Sequence, residues 1–212
     1  MQIIILADGM GARAGDLAVA EPRALVEVAG HALIDYALAF AGEIGAEHRI
    51  IVGGFSYHEV AAHVEARDTD AVLVDNADHR KGNLLSFLAG RARLEPGGFV
   101  LLRVERVYRP ALARAVSELA ARASEVTIFG ETGLLYVPAE RVAPHGDAAH
   151  RVLDEMGETA TTDHVLALLA RDGTPPQRLP VDGTWLEVVT PDDRLQANQV
   201  LASETWWPAL AR

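Results

Sequence analysis

The sequence predicts an α/β fold in which a doubly wound, mostly parallel sheet carries helices on both faces. Short runs rich in β-branched residues alternate with stretches of helical periodicity over well over half of the chain. The first run, residues 3–7, is continuously apolar, as expected of a strand that is buried on both faces. This alternation favours parallel strands joined by right-handed crossovers.

The elements follow in a regular order through the first half of the chain. A brief extended segment with a glycine turn, residues 25–31, leads into the first helix, and Gly45 provides the glycine stop at its end. Strands are predicted at residues 3–7, 49–54, 70–76 and 98–104, and helices at residues 32–45, 56–67, 83–94 and 109–123.

The pattern is looser after Ser124. The elements predicted there are two short strands within residues 125–137 that break at Gly130, a helix at residues 161–173, and strands around an Asp182-Gly183 turn. The last helix has a strong start signal. Thr190 is its N-cap, Pro191 takes the first helical position, and Asp193 lies three residues after the cap.

Composition narrows the classes of function. With 50% hydrophobic residues the chain can bury a full core, and residues 1–212 are expected to form one domain. A formal net charge of -11 argues against a surface for nucleic acid or an anionic membrane. The chain has no cysteine, and no apolar stretch approaches the roughly 20 residues of a membrane span. We therefore expect a soluble, cytoplasmic protein.

A glycine-rich loop, residues 8–23, follows the first strand and is the strongest candidate site. Such a loop lies at the carboxyl edge of a doubly wound sheet, where these folds bind ligands. Gly9 and Gly11 let backbone N–H groups approach phosphate oxygens. Arg13 and, after a rigid Glu-Pro segment, Arg23 add cations with fork geometry that would neutralise a triphosphate.

Three other interpretations of this loop are weaker. A dinucleotide fingerprint needs a helix directly after the glycines, whereas the spacing here is G-x-G-x-x-x-G and a longer segment intervenes. A Walker A loop is excluded because no Gly-Lys-Ser/Thr sequence follows the glycines. The glycines alone are also consistent with a third interpretation, an ordinary glycine-rich turn with solvated arginines.

The loop is part of a longer resemblance. The segments ILADGMGAR, EPRALVEVAGHALIDYAL, NADHRKGNLLSFLAG and VDGTWLEVVTPDDRLQANQVL occur in the order found in sugar-phosphate nucleotidyltransferases, the MobA-like NTP transferases. Within that superfamily the chain most resembles inositol-phosphate cytidylyltransferases, and choline-phosphate and phosphonate cytidylyltransferases share much of the pattern. The resemblance implies a Rossmann-like nucleotidyltransferase fold. It also implies transfer of a nucleotidyl group, cytidylyl by preference, from an NTP to a phosphorylated polyol or alcohol, with release of pyrophosphate and with Mg²⁺ as cofactor.

The resemblance assigns roles to individual residues. Arg13, Arg23 and Glu105 would act in catalysis, and Arg23 stands where the family has the lysine of a Pro-Lys pair. An Asn-x-x-Ser motif at the start of a helix is shared with the family, and the only lysine of the chain precedes it. The residues implied in nucleotide binding are Ala7, Asp8, Gly9, Gly11, Arg13, Asn76, Lys81, Asn83 and Ser86.

Both metal-ligand positions depart from the family pattern. Glu105, between Val104 and Arg106, replaces a metal-binding aspartate, and its extra methylene moves the carboxylate by about a bond length. Arg106 would compete for that carboxylate. The second metal aspartate corresponds to Val189, which cannot coordinate a metal, although Glu187 faces the same side of a strand.

Two further departures affect the ligands. The family's Asp-Thr-Gly is here Glu131-Thr132-Gly133, and the preceding segment, which supplies strands to the acceptor pocket, is shortened. Asp8 replaces a small residue. Its carboxylate would repel a triphosphate unless it accepts a hydrogen bond from a base amino group such as cytosine N4.

Two functions therefore stay open. One is an active nucleotidyltransferase that uses CTP and a small phosphate ester, with Mg²⁺ on Glu105. The other is a catalytically degenerate protein that binds a nucleotide or sugar phosphate and needs no Mg²⁺. A nicotinamide enzyme is a weaker third hypothesis. Neither nucleic acid nor a membrane is an expected partner, and the pair Trp206-Trp207 either packs on its own domain or forms a homodimer surface.

Overall fold

The computed structural model of the chain describes residues 1–11, 21–181, 185–204, 206–207 and 210. The predictions for Arg13 and for the Asp182-Gly183 turn lie outside these residues. Among the described residues, no helix combines the length and apolar character needed to cross a bilayer.

Strands and helices alternate along the chain much as the sequence predicts. The strands are β1 (Gln2–Leu6), β2 (Met10–Gly11), β3 (Glu21–Pro22), β4 (Glu27–Val28), β5 (His31–Ala32), β6 (His48–Gly53), β7 (Val72–Asp75), β8 (Phe99–Arg103), β9 (Arg106–Tyr108), β10 (Thr127–Phe129), β11 (Leu135–Val137), β12 (Gln177–Leu179) and β13 (Trp185–Glu187). The helices are α1 (Leu33–Glu43), α2 (Tyr57–Glu65), α3 (Asn83–Arg91), α4 (Pro110–Ala120), α5 (Val142–Met156), α6 (Thr162–Arg171) and α7 (Pro191–Ser203). Short 3₁₀ turns occupy Arg23–Leu25, Ala139–Arg141 and Gly157–Thr159.

The predicted mostly parallel sheet is confirmed, with one strand that runs against the others. Within the described part of the chain, seven strands form a sheet in the order β12-β10-β11-β8-β1-β6-β7. Strand β11 is antiparallel to both of its neighbours, whereas the other pairings are parallel. Gly130 and Gly133 take positive φ angles of 53° and 71° between β10 and β11. They make a short hairpin there, and a hairpin joins antiparallel strands only.

Apolar side chains cover both faces of the sheet, which makes the fold doubly wound as predicted. Along β1, Ile3 and Ile5 pack in one layer with α1 and α4, while Ile4 and Leu6 pack in the other with α3, α5 and α6. In the sheet register, Leu6 is paired with Val52 of β6 on one side and with the last residue of β8 on the other. The carboxyl ends of the three central strands therefore reach the same edge.

Helix α5 has no counterpart among the sequence predictions. Its first turns contain Pro144 and Gly146, residue types that usually interrupt helices. Pro144 is tolerated because the first amides of a helix have no intrahelical partner. A β-carbon at Gly146 would lie 2.0 Å from the Arg91 guanidinium, so glycine leaves room for that side chain in the position it takes.

The strands on either side of residues 182–184 have different partners. Strand β12 joins the main sheet beside β10, whereas β13 pairs with β9. The sequence pattern does not predict a strand at β9. The predicted start of α7 is confirmed. The Thr190 hydroxyl accepts a hydrogen bond from the Asp193 N–H at 3.2 Å, and the Asp193 carboxylate accepts one from the Thr190 N–H at 2.8 Å.

The two tryptophans near the C-terminus pack within their own chain. Trp206 and Trp207 are 5% and 7% exposed. The ring N–H of Trp207 donates to the Tyr108 carbonyl at 2.9 Å, and the Arg109 guanidinium lies 4.6 Å from the centre of the Trp206 ring. Because neither ring is exposed, the argument for a homodimer through exposed tryptophans does not hold.

A histidine is buried on α5 against the sheet. His145 is 1% exposed, and neither of its ring nitrogens has a hydrogen-bond partner among the described residues. Its ring packs edge-on against Phe87 and Phe99, with centres 5.3 and 6.2 Å apart. Burial, with a smaller contribution from the Arg91 charge, lowers the pKa of His145 from 6.5 to about 4.

This histidine should make the protein sensitive to acid. Because its pKa is lower in the folded chain, its contribution to stability is full above pH 6.5 and is lost as the pH falls towards 4. The difference between these two pKa values corresponds to a loss of about 3 kcal/mol in unfolding free energy at pH 4. We expect His145→Leu to lose less unfolding free energy between pH 7.5 and 4.5 than the wild type does, as measured by denaturant titration. His150→Leu, at an exposed histidine of the same helix, is the control, and equal losses in wild type and His145→Leu would contradict this account.

Candidate functional site

A cavity of about 240 Å³ lies at the carboxyl edge of the central strands. Positions singled out in the sequence form most of its lining: Asp8, Gly9, Arg23, Lys81, Asn83, Glu105 and Val189. Leu6, His79 and Arg103 complete the lining and were not predicted. We call this space the edge cavity.

The glycine loop brings an arginine into the edge cavity. The Gly9 carbonyl accepts a hydrogen bond from the Arg23 N–H at 2.9 Å, and a β-carbon on Gly9 would lie 3.3 Å from the Arg23 side chain. The Arg23 guanidinium donates to the Met10 carbonyl at 2.9 Å. Gly11 follows in strand β2, which pairs antiparallel with β3.

Four of the described residues predicted to bind the nucleotide lie outside the lining, and two of them, Ala7 and Gly11, belong to the loop. Ala7 is fully buried, and its N–H donates to the Val52 carbonyl at 2.8 Å as a continuation of the sheet. Gly11 packs against the neighbouring turn, where a β-carbon would lie 2.8 Å from the Val26 side chain. Both residues shape the loop, and neither presents a group to the edge cavity.

Asp8 is held by two buried polar side chains. The Asn76 amide donates to the Ser86 hydroxyl at 2.9 Å, and that hydroxyl donates to the Asp8 carboxylate. Asn76 and Ser86 are 7% and 1% exposed and do not line the edge cavity. In this structure they orient Asp8, and their predicted role in nucleotide binding stays a prediction. Burial raises the pKa of Asp8, although the Ser86 hydrogen bond opposes that shift.

The loop before α3 supplies a cation and an amide. The Lys81 ammonium pairs with the Asp78 carboxylate at 2.9 Å and with the Glu158 carboxylate at 2.7 Å. The hydrogen bond to Glu158 and, to a smaller extent, that to Asp78 raise the pKa of Lys81, so this residue stays charged. Asn83 accepts a hydrogen bond from the Thr162 N–H at 3.0 Å, which joins the start of α3 to the start of α6.

The predicted metal site does not fit Mg²⁺. Glu105 is 6% exposed, and its carboxylate pairs with the Arg103 guanidinium. Val189 lines the edge cavity without a donor atom, and Glu187 pairs with Arg106 at 3.1 Å. In the part of the chain that the structure describes, no cluster of three or more Asp, Glu, His or Cys side chains could hold a metal ion. Mg²⁺ needs oxygen ligands in near-octahedral geometry, and here arginines occupy the carboxylates that would supply them.

The partner of Glu105 differs from the one predicted. Arg106 was expected to compete for this carboxylate, but Arg103 binds it instead. Arg106 lies in β9, where it pairs with Glu187, donates to the Thr132 carbonyl at 2.7 Å and lies 4.9 Å from the centre of the Trp185 ring. Its guanidinium is thus fixed away from Glu105.

A second cavity of about 210 Å³ adjoins the first and shares Arg103 with it. We call it the arginine cavity because Arg103, Arg106 and Arg178 all line it. Glu131 and Asp163 add negative charge, and the Arg178–Glu131 pair is 3.6 Å apart. The lining also includes Gly133, where a β-carbon would collide with the Arg106 guanidinium. The Glu-Thr-Gly segment of the sequence therefore belongs to this second cavity.

Comparison with known proteins identifies the family. The MobA-like NTP transferase domain matches residues 3–172. The chain belongs to this family. Among curated proteins, the bifunctional IPC transferase and DIPP synthase of Rubrobacter xylanophilus is 33% identical over 111 residues. That alignment covers 52% of this chain and 25% of the relative, so the chain spans about a quarter of that protein's length.

Solved structures share the fold of this chain. The inositol-1-phosphate CTP transferase of T. maritima superposes with a TM-score of 0.72 at 16% identity and covers 94% of this chain and 96% of its own. HddC from Yersinia pseudotuberculosis, in complex with GMP-PN, gives 0.72 at 11% identity, covering 94% and 99%. A putative glucose-1-phosphate thymidylyltransferase from Bacillus anthracis gives 0.73 at 12% identity, covering 94% of each chain. These similarities confirm the predicted nucleotidyltransferase fold.

Two polar residues of the edge cavity, Arg103 and His79, were not predicted from the sequence. Arg103 ends strand β8 two residues before Glu105, and this spacing is the signal that could have paired them. His79 lies in the loop before α3, among residues that resemble the family, but a lone histidine there carries no signal of its own.

Proposed function

We propose that this chain binds a nucleoside triphosphate, CTP by preference, in the edge cavity and a small phosphorylated polyol or alcohol in the arginine cavity, without a bound Mg²⁺. The chain is then a nucleotide-binding member of the nucleotidyltransferase family whose metal-assisted chemistry is compromised. Arg23 and Arg103 neutralise the phosphates of the nucleotide. Arg106 and Arg178 receive the phosphate of the ester.

One observation carries the proposal: an arginine is bound to each of the two carboxylates, Glu105 and Glu187, that stand at or beside the metal-ligand positions of the family pattern. Arg103 binds Glu105, Arg106 binds Glu187, and the third position is Val189. A guanidinium brings a fixed positive charge that does not depend on a dissolved cation, and its fork geometry suits phosphate oxygens. The positive charge that phosphates require is therefore already present in the side chains.

The choice of ligands is supported by relatives. The T. maritima structure is described as an inositol-1-phosphate CTP transferase, and the R. xylanophilus relative as an IPC transferase. By inference from these names, CTP and a phosphorylated polyol are the first compounds to test. The two cavities are of a size and charge consistent with a small phosphate ester beside a nucleotide phosphate chain.

A second candidate, nucleotidyl transfer, is favoured by the position of Arg103 in both linings. This shared residue would hold the two ligands with their phosphates adjacent. In the transfer, a phosphate oxygen of the ester bonds to the α-phosphorus of CTP, the bond from that phosphorus to the bridging oxygen breaks, and pyrophosphate leaves. Arg23 and Arg103 would stabilise the charge that develops, and removal of one such group commonly costs about 10²-fold or more in rate.

A ligand screen combined with a product assay tests the proposal. Thermal shifts are measured with each of the four nucleoside triphosphates and with inositol 1-phosphate, in EDTA and in excess Mg²⁺. We expect CTP to raise the melting temperature in EDTA, and the ester to raise it further. Pyrophosphate release in the same mixtures decides between binding alone and transfer. If no nucleotide shifts the melting temperature of the folded protein in either condition, the proposal is wrong.

A further inference from the structure

The orientation of the Asp8 side chain is fixed from behind by buried hydrogen bonds. The Asn76 amide donates to the Ser86 hydroxyl at 2.9 Å, so the hydroxyl proton is directed to the Asp8 carboxylate. The Asn76 amide oxygen accepts from the Asp78 N–H at 3.0 Å, so its NH₂ group faces Ser86, and this sets the direction of each bond. Asp8 therefore has one oxygen occupied by Ser86 and presents an acceptor to the edge cavity.

His79 lies next to this carboxylate in the lining. Its two ring nitrogens are buried and have no hydrogen-bond partner among the residues that the structure describes. Gly54 separates the two side chains: a β-carbon there would lie 2.3 Å from the β-carbon of His79 and 3.0 Å from that of Asp8. The side chains of Asp8 and His79 therefore approach each other beside Gly54 in the lining of the edge cavity.

The charges of the edge cavity decide which part of a nucleotide meets Asp8. A carboxylate repels phosphate groups, whereas Arg23 and Arg103 attract them. A nucleotide in this cavity therefore directs its phosphates to the arginines and its base to Asp8. The base edge that suits a carboxylate must carry a hydrogen-bond donor.

We propose that Asp8 is a specificity-determining residue that selects a base with an amino group at position 4 of a pyrimidine or position 6 of a purine, and cytosine over uracil in particular. This inference rests on the proposed function, because it requires a nucleotide in the edge cavity. Cytosine presents the N4 amino group as a donor where uracil presents the O4 oxygen, and adenine differs from guanine in the same way at position 6. The Asp8 carboxylate accepts from the amino group and repels the keto oxygen.

The test compares CTP with UTP by isothermal titration calorimetry in EDTA, using wild type, Asp8→Asn and Asp8→Ala. We expect the wild type to bind CTP about 10- to 100-fold more tightly than UTP. In Asp8→Asn the amide oxygen must accept from Ser86, so the NH₂ group faces the base. This variant should therefore prefer UTP, and Asp8→Ala should show no preference. Asp147→Asn, the same change at an exposed site on α5, should behave as wild type.

Each outcome has a definite meaning. Equal binding of CTP and UTP to the wild type, or an unchanged CTP preference in both Asp8 variants, overturns this inference and leaves the proposed function standing. If neither nucleotide binds the folded wild type, the proposed function fails and this inference fails with it. Melting curves of each variant establish that it is folded, and Asp8→Ala tests the loss of preference even if Asp8→Asn does not fold.

Discussion

Replacing Glu105 with glutamine should leave the affinity for CTP unchanged or raise it, whereas replacing Arg103 with alanine should lower that affinity about tenfold or more. Glu105 is 6% exposed, and its carboxylate binds the Arg103 guanidinium. In the glutamine variant the guanidinium keeps its charge and loses a competitor for phosphate oxygens. In the alanine variant the cavity loses a cation, and the Glu105 carboxylate is left to repel the nucleotide.

These two variants are compared by calorimetric titration with CTP in EDTA. Glu125→Gln and Arg151→Ala make the same chemical changes at ion pairs outside both cavities, the Arg141–Glu125 pair at 2.5 Å and the Arg151–Asp172 pair at 2.6 Å. Neither control should alter the affinity. A large loss of affinity in Glu105→Gln would show that the Glu105 carboxylate itself supports nucleotide binding without a metal, and would contradict the arrangement described above.

A double variant, Arg103→Ala with Val189→Asp, should acquire Mg²⁺-dependent binding of CTP. Val189 is 39% exposed and lines the same cavity as Glu105, and the neighbouring Val188 N–H donates to the Glu105 carbonyl at 2.8 Å. The first substitution releases the Glu105 carboxylate, and the second adds a carboxylate beside it. Two carboxylates together with nucleotide phosphates are a usual ligand set for Mg²⁺. We expect Mg²⁺ to tighten CTP binding about tenfold or more in this variant.

The measurement is a CTP titration of the double variant in EDTA and in excess Mg²⁺. Arg103→Ala with Val189→Asn has nearly the same shape and one carboxylate fewer, so it should show little gain from Mg²⁺. If Mg²⁺ does not change the CTP affinity of the folded double variant, the presence of Arg103 and Val189 does not explain why the site fails to fit a metal.

Much of the fold was predictable because its signals are local. The continuous apolar run of β1 and the N-cap at Thr190 each specify an element without reference to distant residues. Helix α5 was missed because Pro144 and Gly146 resemble interruptions, and only the approach of Arg91 explains the glycine. The antiparallel direction of β11 likewise depends on a turn between strands and not on the composition of the strand.

The candidate site was predictable as a set of positions and less so as a set of contacts. The glycine loop, Arg23 and Glu105 were found through a resemblance that fixes their order along the chain. The pairing of Glu105 with Arg103 has only their two-residue spacing as a signal in the sequence, because the contact itself depends on how the chain turns between β8 and β9. The contacts of Ser86 were also not predicted. Its hydroxyl donates to Asp8 and accepts from Asn76, which lies ten residues earlier, and no local pattern in the sequence indicates either bond.

The central claim is that arginines take the place of the metal in nucleotide binding, and one measurement tests it most directly. The wild-type protein is titrated with CTP by calorimetry, once in EDTA and once with Mg²⁺ in excess over the nucleotide. We expect CTP to bind in EDTA with an affinity equal to or higher than that in Mg²⁺, because Arg23 and Arg103 already supply the charge that faces the phosphates. Binding that is about tenfold or more tighter in Mg²⁺, with a gain that Glu105→Gln abolishes, would contradict the claim.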